Sequence, residues 1–360
     1  MSRFFCFVCG ASLAWFCSIS FAGGVEPSPN KGRSPVTTVP PQSSAKAGPR
    51  GSKKGTVPLG TRVSDATDTF DRGTVPFFEP RGSPAAAPAK PAEKKQPADL
   101  AWLGDYAQAW ESAERQAKML LVYFCSMGRC RLRDTFDAEA LADPEVRRKL
   151  DGLVRVRLPL DAKVAADGHQ TKLLDHPAFA EMLGLPGLAM IDLAHKGAKY
   201  YGHVVSVFPF LDERVYSADE MKVILDLPPG TLTQRTLIYA VRTHREHPES
   251  TRGKFDPHLQ EEAENHAQYQ AEIRVQGHHF WESRFHRINT SLPGGCLASE
   301  VCAESWPGQG LLAAAMECVC CWRLSSGHWG AVHECHPVYG YDMKRGDNGV
   351  WYATGIFGRR

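Results

Sequence analysis

The chain has 360 residues and a formal net charge of +2, with 42 lysines and arginines set against 40 aspartates and glutamates. That balance excludes a nucleic-acid binder held by bulk charge, which shows a basic stripe. A hydrophobic fraction of 43% is enough to build a core, so the chain is not disordered throughout, and its length suggests two domains.

In chain order, the first segment is MSRFFCFVCGASLAWFCSISFA. Arg3 precedes an apolar run from Phe4 to Ala22, and Ser20 and Ala22 are small residues at the cleavage-recognition positions. This layout predicts a secretory signal peptide, residues 1–22, cut after Ala22. It places the mature protein outside the cell or in a periplasm. No cysteine follows in a lipid-attachment setting. Residues 23–99 predict a flexible tether. Thirteen of the 25 prolines fall between Val25 and Asp99, and no hydrophobic period persists there. Such a composition cannot offset its ordering entropy by burial. Gly55-Thr56-Val57-Pro58 recurs as Gly73-Thr74-Val75-Pro76, which reads as linker drift. The tether lysines suit weak contact with anionic envelope polymers.

Folding is expected from residue 100. Tyr106, Trp110, Ala113 and Ala117 share one face of a helix. Met119–Phe124 reads as a buried strand, followed by the loop Cys125-Ser-Met-Gly-Arg-Cys130. A helix over 136–150, a strand over 153–158 and a helix over 173–183 come next. Gly184-Leu185-Pro186-Gly187 then leads into a strand over 188–193. A β-like run over 200–208 and a helix over 218–225 close the unit. Strands alternating with helices predict an α/β sheet.

Trp102, Trp110, Ala113 and Lys118–Phe124, then a cysteine loop, then Leu185-Pro186-Gly187 before an apolar strand, resemble the thioredoxin-like superfamily over residues 100–227. The resemblance implies that Pro186 is a cis-proline facing the cysteine loop. The loop is C-x4-C, where the redox-active members carry C-x-x-C, with one thiolate attacking and the second resolving. Cys125 and Cys130 are thus the candidate catalytic residues of a disulfide exchange, or the remains of one.

Leu227-Pro228-Pro229-Gly230 predicts a boundary. Beyond it, over 231–360, helices are expected over 234–243, capped by Thr233, over 256–275 and over 310–322. Strands are expected over 331–333, 339–343 and 350–357. Ala263-Glu-Asn-His266-Ala267, Gly277-His278-His279, Ser299-Glu300-Val-Cys-Ala303, Trp322-Arg-Leu-Ser-Ser-Gly-His328 and Val350–Phe357 follow in an order that resembles the CAP superfamily, the cysteine-rich secretory, antigen-5 and pathogenesis-related proteins. That resemblance implies an α-β-α sandwich with a cleft where two histidines and a glutamate converge. His328, Glu300 and either His278 or His279 carry over. Ser325 stands where the family's second glutamate is found, and Val301 follows Glu300 in place of asparagine.

Two imidazoles and a carboxylate suit Zn²⁺ or another divalent cation, and equally acid–base work. His278, His279, Glu300 and His328 are the candidate metal ligands. Trp306 and Trp329 are expected to line the cleft, and Trp322 and Trp351 to pack in the core. Of eleven cysteines, eight lie after the signal, an even number that suggests disulfides in an exported chain. The leading expectation is an extracytoplasmic binding module for a small molecule, lipid or envelope component. The alternative is an enzyme: a thiol–disulfide oxidoreductase through Cys125 and Cys130, or a metal-dependent hydrolase through the cleft.

Overall fold

The computed structural model describes residues 100–166 and 169–360. The expected signal peptide and tether lie outside the described residues. The first helix, α1 (Tyr106–Gln116), starts where Asp105 accepts from the Gln108 N–H at 2.7 Å. It buries Ala109 and Ala113, and Ala117 ends it in the left-handed region. β1 (Leu120–Phe124) is buried along its whole length. The helix expected over 136–150 is two helices, α2 (Arg131–Glu139) and α3 (Pro144–Leu150), because Asp143-Pro144 caps and starts a new one. The helix expected over 173–183 is a pair of 3-10 turns, Leu173–Asp175 and Pro177–Met182, separated where Pro177 begins the second.

β2 (Val154–Leu158) pairs parallel with β1, β5 (Gly187–Ile191) antiparallel with β1, and β6 (Val204–Pro209) antiparallel with β5. The sheet order is β2-β1-β5-β6; β3 (Lys163–Ala166) and β4 (His169–Lys172) form a separate hairpin. Gly187 has φ +146°, and a Cβ there would lie 2.3 Å from the Phe208 carbonyl oxygen, so only glycine lets β6 approach. α4 (Ala218–Leu225) follows with a Ser217–Glu220 capping box.

The second sheet has order β7-β9-β10-β8. Its strands are β7 (Lys254–Phe255), β8 (Leu297–Glu304), β9 (Val338–Arg345) and β10 (Trp351–Arg359). β10 pairs antiparallel with both β8 and β9. Period-two alternation sorts its side chains. Ala298, Val338 and Ile356 pack with Leu259 and Ala263 of α6 (Pro257–Ile273) and Ile288 of α7 (Trp281–Asn289). Val301, Ala303, Tyr341, Ala353 and Phe357 face the other way, toward α8 (Leu311–Leu324) and α9 (Ser326–His333). The described chain is α/β, with helices on both faces of this sheet, and neither sheet closes into a barrel. Residues 331–333, expected as strand, are the last turn of α9. Their apolar run serves a helix buried on one side.

One helix joins the two sheets. α5 (Leu232–Arg242) is capped by Thr231 with Gln234 at the third position, two residues before the expected cap. It packs on β6 of the first sheet and on β9 and α8 of the second. Its Arg235 is 2% exposed. Arg235 Nε donates to Ser206 Oγ at 2.7 Å, and Nη1 donates to the Leu227 and Pro228 carbonyls at 2.9 and 2.8 Å. Burial brings its guanidinium pKa down to about 10. A single buried core runs from Tyr123 and Phe208 through Leu237 and Tyr239 to Trp322 and Tyr341.

Candidate functional site

β8 turns Glu300 and Cys302 toward α6, on the same side as Ala298. α6 answers with His266, and the turn after it brings Gly277 and His278 to the same place. Three side chains meet at the Glu300 carboxylate. Glu300, its side chain 1% exposed, receives a hydrogen bond from Arg284 on Oε2. Its Oε1 lies 3.0 Å from His278 Nδ1 and 3.6 Å from His266 Nε2. His278 Nε2 lies 3.2 Å from His328 Nε2. Cys302 Sγ lies 3.8 Å from His278 Nδ1. His266 Nε2 is also 2.9 Å from the Gly277 carbonyl, and Gln270 accepts from the Gly277 N–H at 3.0 Å. Arg284, on α7, is itself buried and stacks its guanidinium over Trp281 at 5.5 Å.

The electrostatics follow from burial and from these partners. Burial alone would push the Glu300 carboxyl up, but the bonds from His278 and Arg284 outweigh it and hold it below the usual carboxylate range. Burial pushes the His266 and His328 imidazoles below their ordinary value, so both are neutral at pH 7. Burial drives the Cys302 thiol well up.

The expected residues divide cleanly. His278, Glu300 and His328 come together. His279 does not: its Nε2 donates to the Val275 carbonyl at 3.1 Å and its ring leans on Tyr269. Of the two open candidates, His278 is the one at the cleft. Trp329 does not line it either. Successive helical residues point about 100° apart, so His328 faces His278 while Trp329 is buried, donates to Glu246 at 3.1 Å and packs on His244. Trp306 stands exposed beyond the end of β8, with its indole N–H on Glu317 at 3.1 Å. Trp322 and Trp351 are core residues, as expected. His266, Arg284 and Cys302 were not among the expected site residues.

At the cysteine loop, Phe124 pairs with Gly187, which sets Cys125 and Pro186 side by side at the same end of the first sheet. Cys130 occupies the N-cap of α2. Cys125 is 1% exposed, and burial raises its thiol pKa, the opposite of what a nucleophilic thiolate needs. The expected disulfides are not formed: all eight cysteines among the described residues are free thiols. Four of them, Cys125, Cys296, Cys302 and Cys318, are buried, Cys302 among the polar side chains of the cleft.

No family model matches the sequence, and no curated protein does. Two solved chains match. One, described as a DsbH oxidoreductase, is 19% identical, with 34% of this chain and 84% of that chain covered and a TM-score of 0.24. A score that low carries no argument about fold or chemistry.

Proposed function

We propose that this is an exported ligand-binding protein that works through the cleft of His278, Glu300 and His328. In this reading its first half is a thioredoxin-like unit without the C-x-x-C pair, and its second half is CAP-like. One observation carries the proposal: His278 Nε2 and His328 Nε2 face each other at 3.2 Å while Glu300 holds His278 from behind at 3.0 Å. If Glu300 accepts the Nδ1 proton, His278 Nε2 is left with its lone pair toward the cleft. Two imidazole nitrogens on one tetrahedral Zn²⁺ sit about 3.3 Å apart, given Zn–N distances of about 2.0–2.1 Å. The pair therefore fits a divalent cation held by His278 and His328, with Glu300 as the carboxylate that orients its ligand. His278 is 41% exposed on its side chain, so the pair is open to solvent and to a ligand. Such an ion would polarise an oxygen of a bound small molecule, lipid headgroup or envelope component.

Two features favour binding over catalysis. Arg284 locks Glu300 into an ion pair, so the carboxylate is not free as a general base. Cys125 is too buried to attack a disulfide. Calorimetric titration of the full chain with Zn²⁺, beside His328→Ala, tests the reading. A site lost in the variant is the expected result. Equal binding by both proteins would sink it.

A further inference from the structure

Beneath the open histidine pair lies a second donor set. His266, Glu300 and Cys302 are all buried, and each offers a ligand atom within 4.8 Å of the other two. One donor is an imidazole, one a carboxylate and one a thiol, the mixture that suits a borderline or soft divalent cation over Mg²⁺ or Ca²⁺. Cys302 alternates with Val301 and Ala303, which face the opposite core, so its placement beside Glu300 follows from strand register. We propose that His266, Glu300 and Cys302 form a buried, thiolate-bearing site for a cation of the Zn²⁺ class, distinct from the pair at the cleft mouth.

The local chemistry supports three roles. Arg284 bonds Glu300 Oε2, and Oε1, which already accepts from His278 Nδ1, keeps a second lone pair for an ion. Burial and the neighbouring Glu300 carboxylate hold the Cys302 thiol well above its ordinary value, with the Thr354 hydroxyl working the other way, so it is the cation that draws off the proton. Gln270 Nε2 donates to the Thr354 hydroxyl at 2.9 Å, while its Oε1 accepts from the Gly277 N–H. Such outer partners orient first ligands. Carboxylate and thiolate bring two negative charges, which balance a divalent ion, and Arg284 leaves one positive charge over. Binding moves two protons. Cys302 gives up its thiol proton to solvent. His266 shifts its ring proton from Nε2, where the Gly277 carbonyl accepts it, to Nδ1, and ligates through Nε2. The His266–Gly277 hydrogen bond is given up in exchange for the metal–nitrogen bond, and no oxidant is needed. His278, half-exposed above the set, is the entry side.

Co²⁺ titration of the full chain, with thiols kept reduced, reads the sulfur directly. A thiolate-to-metal charge-transfer band in the near ultraviolet, saturating with one ion per chain, is expected for the wild type. His328→Ala should keep that band even as it loses the open site, which separates this site from the proposed function. Cys302→Ser should lose the band, and His266→Gln should bind at least tenfold more weakly. A wild type without the band, or a band unchanged in Cys302→Ser, would overturn the assignment. The wild-type spectrum decides this even if a variant fails to fold.

Discussion

His278 Nδ1 and Glu300 Oε1 meet at 3.0 Å although 22 residues of chain separate them. The contact exists because Arg284 grips the other oxygen of the same carboxylate and fixes its plane. Glu300→Gln should therefore do more than loosen His278. It leaves a buried guanidinium without its counter-charge, and breaking a buried pair in this way costs about 3–5 kcal/mol. Urea unfolding should show a lower midpoint with an unchanged slope. A loss below about 0.5 kcal/mol, the usual range for surface substitutions, would show that Arg284 finds another partner.

Acid should destabilise the fold in part through His336. Its Nε2 donates to the Ala331 carbonyl at 2.6 Å, and its ring stacks on Phe357 at 4.6 Å between centroids. Burial holds the imidazole below its ordinary value, although the bond to Ala331 works the other way. The unfolded chain takes its proton near pH 6.5 or about there, and the folded chain takes it only at lower pH. The stabilisation is thus fully present above about pH 6.5 and is lost as pH falls from there through the folded value. His266 and His328 act with the same sign. Denaturation midpoints between pH 7 and pH 5 should fall less steeply in His336→Gln than in the wild type. Parallel profiles would remove His336 from the acid response.

Gly340 on β9 touches the backbone of α6. A Cβ there would lie 2.3 Å from the Leu259 carbonyl carbon and 2.4 Å from the Gln260 nitrogen. Gly340→Ala must push α6 off the sheet, an overpacking that costs about 1–3 kcal/mol. Because α6 carries His266, Zn²⁺ affinity should fall together with thermal stability. Full affinity in a destabilised Gly340→Ala would mean that the cleft does not depend on α6.

Cys125 should behave as a core residue. A thiol reagent at neutral pH should leave it unmodified in the native chain and label it after denaturation, as mass mapping would show. Insulin-disulfide reduction should not differ between wild type and Cys125→Ser. A loss of activity in the variant would restore the oxidoreductase reading.

The strands and helices of the first sheet were legible because their apolar periods are clean, as in Leu120–Phe124 and Ala218–Leu225. The helix expected over 136–150 was cut by Pro144, whose ring restarts a helix instead of continuing one. β8 was harder. Ser299 and Glu300 interrupt its hydrophobic pattern, so a strand that buries a carboxylate reads as a turn. The alternation of Ala298, Glu300 and Cys302 with Val301 and Ala303 was the available signal. His278, Glu300 and His328 were legible through resemblance alone. Arg284 was not, because one arginine in the charged helix Trp281–Asn289 looks like surface until β8 is laid beside it.

Arg235 binds the loop that leaves the first sheet, Leu227-Pro228, and the strand residue Ser206, from a helix that also supports the second sheet. Prolines at such a place usually mark a joint that bends. Here the joint is riveted from inside. Residues 100–360 should therefore melt in a single endotherm, and cleavage between 227 and 231 should yield two sticky fragments instead of two domains. A ligand that tightens the histidine cleft would be felt as added rigidity at the cysteine loop, since α5 acts as a brace between them and leaves no hinge.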